Sequence, residues 1–285
     1  CRAFSTTNSI HPGQSMKLPR FSSLVLLAGA LPVGAEVFVS ETFNYPDDNL
    51  TAASSDVWSA HSGPGSNPVQ VADGQVILTS GAGSREDVNR PLGQSFTGGV
   101  LFAGFDLSLS TPPDSGNAYF LHFRDTGTGF RARVYIAEPD LLVEAPVLLK
   151  GEPGVLNAGA FRLGLSNALG DNAAGLPLTP NLLANTTYRV VVAYDLDTRT
   201  SRLWVNSTDE SSPTLTASDN ASALTISTIA LRQGGSGSPA VTYSGLALDN
   251  LFVADTFMQA VPEPGGGALA LLGGGLLFLL RRRAA

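Results

Sequence analysis

The chain has 285 residues, a formal net charge of −7 at pH 7, three histidines and one cysteine, Cys1. A single cysteine excludes a disulfide framework and a cysteine metal site. All 24 acidic residues lie between Glu36 and Glu263; Arg2, Lys17, Arg20 and Arg281 to Arg283 fall outside that span and leave 11 of the 17 basic residues inside it, so the body carries −13. A surface this acidic repels nucleic acid and anionic lipid, and no nucleic-acid partner is expected.

In chain order, residues 1–15 precede the first methionine and contain no apolar run. They read as an upstream leader outside the native translated protein. Residues 16–35 have the three parts of a secretory signal peptide: a basic start at Met16 to Arg20, an apolar stretch from Phe21 to Leu31, and a small-x-small cleavage site at Val33, Gly34 and Ala35. Export through the Sec machinery follows, with a mature chain starting at Glu36. The body, 36–258, is long enough for one β-sandwich. Period-two alternation predicts strands at 75–79 after an Asp73-Gly74 turn, and at 100–109, 118–124, 131–136 and 161–165. Further strands are predicted at 188–194, 202–205, 226–231 and 246–253. On 118–124 the alternation sets Tyr119, Leu121 and Phe123 against Phe120 and His122. No amphipathic helix of ten or more residues is apparent, so the expected class is all-β, with two packed antiparallel sheets.

The last segment, 259–285, begins a different pattern. Val261, Pro262, Glu263 and Pro264 precede an uncharged stretch from Gly265 to Leu280, and Arg281, Arg282 and Arg283 close it. Residues 265–280 would span about 24 Å as a helix, short of the bilayer core of about 30 Å, and their glycines weaken them as a helix further. The arginines favour a cytoplasmic C-terminus. Motif, single transmembrane helix (265–280) and basic stop (281–285) together resemble the PEP-CTERM sorting signal. That resemblance implies an exosortase-type membrane protease as partner, transient anchoring in the inner membrane, and then a place at the cell surface or in the extracellular matrix.

The run Asn185 to Asp195, with Tyr188, a valine series and Tyr194, leads into Ser201-Arg202-Leu203-Trp204-Val205-Asn206; Leu248-Asp249-Asn250-Leu251 follows near the end. These segments resemble the concanavalin-A-like lectin/glucanase jelly roll in its laminin-G-like form. The resemblance implies an all-β jelly-roll sandwich with a capacity for carbohydrate. Glucanases of this fold carry Glu-x-Asp-x-x-Glu on one strand, and retaining hydrolysis needs two carboxyls about 5 to 5.5 Å apart. The chain has no such run. Asp195 and Asp197 sit in a polar turn suited to bonding their own backbone, and Glu138 and Glu144 flank Pro139 at too wide a spacing.

Trp58, in a polar loop-like stretch, is the candidate ligand platform, with simple packing as its other reading; Trp204 in its hairpin strand reads as core. His61 and His122 are far apart in sequence and read as structural. Asp47, Asp48 and Asn49 in one loop, with Asp249 and Asn250 near the last strand, are candidate calcium ligands, because calcium takes six to eight oxygens. Surface turns and strand ends are the plainer reading of the same residues. The expectation is an exported, noncatalytic surface or matrix protein that binds extracellular polysaccharide in the manner of a lectin. A glycan-active enzyme of the glucanase type is the alternative.

Overall fold

Where the sequence alternates apolar and polar residues, the computed structural model forms antiparallel strands. It describes residues 35–142, 159–220, 222–234 and 240–261, all within the second of two units into which the chain divides, Ala35–Ala285. The signal-peptide residues before Ala35, including Val33 and Gly34, and the tail with Pro262, Glu263, Pro264 and Arg281 to Arg283, lie outside the described residues. Among the described residues, no helix is long and apolar enough to cross a membrane.

The elements in order are β1 (Val37–Glu41), β2 (Asp48–Asn49), α1 (Leu50–Ala53), β3 (Ser59–Ser62), β4 (Gln70–Ala72) and β5 (Gln75–Ser80). Then come β6 (Asp87–Phe96), β7 (Val100–Thr111), β8 (Asn117–Arg124), β9 (Phe130–Ala137), β10 (Ala160–Ser166) and β11 (Leu182–Leu183). The chain continues with β12 (Tyr188–Asp195), β13 (Thr200–Val205), β14 (Leu215–Ala217), β15 (Ile226–Leu231), β16 (Tyr243–Ala254) and α2 (Phe257–Ala260). The first sheet has the order β14-β13-β12-β7-β16-β5-β4-β2, with β1 also paired to β16. The second has the order β11-β10-β9-β8-β15-β6-β3. The edge strands β2, β11 and β14 are two or three residues long, which limits the unpaired backbone a neighbour could add to.

The core lies between the sheets. Leu78, Phe105, Tyr194 and Leu248 of the first sheet are fully buried in one cluster with Phe120, Phe123, Ile136 and Phe161 of the second. Phe105 and Phe120 meet edge to face at 6.1 Å, a favoured aromatic geometry. Burying each such side chain is worth about 1.5 to 3 kcal/mol, set against the chain entropy lost on ordering. The Asp73-Gly74 turn between β4 and β5 has φ of 52° and 71°, the two positive values of a type I′ hairpin whose twist suits the flanking strands.

β8 departs from strict alternation. Ala118, Phe120, Leu121 and Phe123 all enter the core, and the register with β9 slips on both sides of Leu121. A slip of this kind bends the strand and re-aims its side chains. Leu121 therefore points inward beside Phe120, and Tyr119, His122 and Arg124 are left on the other face. The body also continues past Met258: Phe257 and Ala260 are buried, and Val261 packs against the same cluster.

Candidate functional site

The sequence-predicted candidates separate into three places. Trp58 is 1% exposed and belongs to the core, not to an exposed platform. Its indole N–H donates to Glu41 Oε2 at 3.1 Å, and its ring lies 5.8 Å from Phe43. Glu41 explains the burial. The carboxylate also accepts from the Phe43 N–H at 2.9 Å, the Tyr45 hydroxyl at 2.8 Å and Arg90 Nη1 at 2.5 Å. A buried carboxylate needs several donors, and Trp58 is recruited as one of them. The same environment pushes Tyr45 up to about 12, through burial and then its bond to Glu41.

The candidate calcium ligands are not brought together. Asp47 accepts from the Asp73 N–H at 3.0 Å, Asp48 from the Asn49 N–H at 2.7 Å, and Asn49 from Gln70 at 2.7 Å. All three fasten the β2 edge. Asp249 and Asn250 sit on β16, three strands away in the order β2-β4-β5-β16, or about 14 Å at the usual strand spacing. There Asp249 pairs in register with Asp106, and the Asn250 amide bridges both carboxylates at 3.3 and 2.8 Å. Arg189 Nη1 holds Asp106 at 3.2 Å. A guanidinium therefore already supplies the cation these oxygens need. No group of three or more His, Cys, Asp or Glu that could hold a metal ion occurs among the described residues. Asp195 accepts from the N–H groups of Asp197 and Thr198 at 3.0 and 2.9 Å, the turn role expected of it. Glu138 accepts from the Gly116 N–H at 3.1 Å, and Glu144 lies outside the described residues.

Arg189 and Trp204 belong to the outer face of the first sheet. Trp204 is fully buried, but on the side away from the sandwich core, where it packs with Phe102 and Phe257. The Trp204 and Phe257 rings are 5.2 Å apart. Arg189 Nη2 donates to the Ala260 carbonyl at 2.5 Å. At Gly104 a Cβ would collide with that same oxygen, so glycine there permits the close approach of α2. The residues just before Val261 are thus fixed to this sheet.

The outer face of the second sheet has a different chemistry, and the sequence did not single it out. His61 from β3, His122 and Tyr119 from β8, Phe130 and Arg133 from β9 and Arg232 just after β15 meet there. The His122 ring lies 4.3 Å from Phe130, 5.5 Å from Tyr119 and 6.3 Å from His61. The Arg124 and Arg133 guanidiniums sit 5.9 and 5.3 Å from the Phe130 centroid, and that of Arg232 sits 4.0 Å from Tyr119. Such positions are attractive for cations over aromatic faces. Asp171 neutralises Arg232 through two bonds of 2.9 and 3.0 Å. Neither Arg124 nor Arg133 has a carboxylate within ion-pair distance among the described residues.

Both imidazoles are held neutral at pH 7. Burial, then Arg124 and Arg232, brings His61 down to about 4. Burial, His61 and the three arginines push His122 well below the usual histidine range. A cleft of about 150 Å³ is lined by Ser62, Arg85, Asp87, Arg232 and Gln233 among others, and neither histidine is part of its lining. A larger cleft of about 270 Å³ lies by Ser166 and Asp219, but its carboxylate already accepts from the Ser166 hydroxyl and the Asn167 and Ala168 N–H groups. The signal that could have found the polar face is weak. Histidine and arginine alternate with core residues along β8 and β9, which reads equally as a solvated sheet face.

No family model matches the chain, and no curated protein matches its sequence. Solved structures similar to it include a sialidase, at 17% identity and a TM-score of 0.48, with 77% of this chain covering 19% of that one. The Emp46p carbohydrate recognition domain, in its potassium-bound form, is 11% identical with a TM-score of 0.41 over 78% of this chain and 98% of that one. An alginate lyase from Alteromonas sp. 272 is 14% identical with a TM-score of 0.40 over 70% and 94%. The chain therefore spans about a fifth of the length of the sialidase it is similar to. What the described residues establish is a sandwich of two antiparallel sheets.

Proposed function

We propose that the chain is an exported surface or extracellular-matrix protein whose sandwich, of concanavalin-A-like kind, binds carbohydrate on the outer face of its second sheet without turning it over. Sec export and an exosortase-type protease handle its two ends, the latter through the PEP-CTERM-like tail. The observation that carries the binding reading is the surround of Phe130. A half-buried ring flanked by His122, Arg124 and Arg133 offers an apolar surface to a sugar ring and donors to its oxygens, the usual make-up of a small-molecule site.

A panel of neutral and acidic polysaccharides, titrated against the purified full chain, tests this reading. Saturable binding weakened by Phe130→Ala is expected; binding insensitive to that change would move the site elsewhere. For the tail, replacing Pro262, Glu263 and Pro264 with alanine should leave the protein in the membrane fraction, and unchanged release contradicts the sorting role. A neutral His122 beside Tyr119, with His61 next to it, favours a second reading, a glycan-active enzyme using histidine as general base or acid. Appearance of new reducing ends or unsaturated sugars during the same titration would replace the noncatalytic reading with this one.

A further inference from the structure

Buried polar atoms without partners occur in several places among the described residues, and six of the sixteen belong to His61, His122, Arg124 and Arg133 on the second sheet's outer face. His122 is fully buried, and neither of its ring nitrogens has a hydrogen-bond partner among the described residues. The same holds for His61 Nδ1, Arg124 Nε and Nη1, and Arg133 Nε. Each arginine is otherwise anchored: Arg124 Nη2 donates to the Gly127 carbonyl, and Arg133 Nη1 to the carbonyls of Ala168, at 2.8 Å, and Leu169. Their positions are therefore set while part of each fork stays unspent. A buried donor without an acceptor costs about 1 to 3 kcal/mol, and one isolated case is a local fault. Those of His122, Arg124 and Arg133 meet around the Phe130 ring, which makes that ring a place for an acceptor.

Chemistry narrows the acceptor. Neutral imidazole gives one N–H, and guanidinium gives only donors. Arg232 is already matched by Asp171, so the unmatched charge belongs to Arg124 and Arg133. Arg85, Arg131 and Arg199 also lack an ion pair among the described residues, and what sets Arg124 and Arg133 apart is that both lie against the Phe130 ring. A metal cation is disfavoured by the three surrounding guanidiniums. A planar carboxylate, with two oxygens to accept from guanidinium forks, fits the donors in number and sign. Phe130 supplies the apolar surface for the ring that carries it.

We infer that the cluster of Arg124, Arg133 and His122 around Phe130, with His61 beyond His122, is a seat for the carboxylate of an acidic sugar, so that the ligand class is a uronate-containing polysaccharide. This rests on the carbohydrate-binding reading above and adds the charge and the contacts.

The test titrates the full chain with polygalacturonate, dextran sulfate and an uncharged set of dextran, xylan and galactan at fixed ionic strength. Three variants are compared with the parent: Arg124→Gln and Arg133→Gln in the seat, and Arg202→Gln on the first sheet. All three remove one positive charge, and thermal midpoints establish that each variant is folded. Polygalacturonate should bind in preference to the neutral polymers. Each seat variant should weaken it about tenfold or more, as expected for losing a charged hydrogen bond, while Arg202→Gln leaves it within about twofold. Equal binding of neutral polymers overturns the inference and leaves the carbohydrate reading standing. Binding of dextran sulfate alone overturns the carboxylate assignment. Equal weakening by all three variants shows a general charge effect and overturns the seat. No binding to any polymer overturns both readings.

Discussion

The two outer faces of the sandwich start from the same pleated geometry and reach opposite ends. On the first sheet, Phe102, Trp204 and Phe257 close an apolar layer under α2, with Gly104 admitting the backbone and Arg189 holding it. On the second, histidine, tyrosine and arginine gather around Phe130 with several donors unmatched. Stability alone favours the first arrangement, because it buries apolar area and satisfies the carbonyl it approaches. Both faces keep buried polar atoms without partners, Arg189 Nε among them on the first, but on the second those of His122, Arg124 and Arg133 gather at one ring. The difference teaches that the covered face serves the fold, whereas the polar face is where ligand chemistry is to be sought.

The largest expected effect breaks the covered face. Trp204→Ala should lower unfolding free energy by about 3 to 5 kcal/mol, whereas Phe130→Ala should cost about 1 kcal/mol and act on polysaccharide binding instead. Denaturant titration of both variants separates the two. Equal losses would remove the distinction between the faces. Gly104→Ala comes next, at about 1 to 3 kcal/mol for overpacking against backbone. Limited proteolysis should then cut near Phe257 to Val261 faster than in the parent.

The polar face sets a pH dependence of smaller size. His61 and His122 titrate below their unfolded value of about 6.5, so the unfolded chain binds more protons between that pH and the folded values. Stability is then full above about 6.5 and is lost as pH falls through the window towards about 4 for His61. Thermal midpoints of a His61→Gln, His122→Gln double variant should show a flatter decline over that range. An unchanged slope would assign the dependence to carboxylates. Arg202→Gln should change stability least, within about 0.5 kcal/mol, since its contacts to Asp195 and Glu210 are both 3.9 Å.

Much of the sheet pattern is legible in the sequence, and its failures have physical causes. β5, β7, β12, β15 and the Asp73-Gly74 turn follow from alternation and turn chemistry. β6 escapes because Pro91 and Gly93 interrupt its pattern. The structure tolerates Pro91 because β3 pairs only with residues 87–89 of that strand, so on that side no partner asks for its N–H. His122 was assigned to a simple alternating strand, but the register slips around Leu121 re-aim the side chains of β8. Trp58 carried two readings, a ligand platform and simple packing; it packs inside, drawn there by the donors that Glu41 needs. The polar face itself was not legible, since His61, His122 and Arg232 converge only through the pairing of β3, β6, β15 and β8.

The most direct measurement follows the arginine side chains during binding. Arginine Nε–H resonances of the isotopically labelled full chain, recorded while an oligogalacturonate is titrated in, report each guanidinium separately. Saturable shifts at Arg124 and Arg133 with none at Arg189 and Arg202 are predicted. Shifts confined to Arg189 and Arg202, or saturation with Arg124 and Arg133 unmoved, would contradict the assignment of function to the second sheet's outer face.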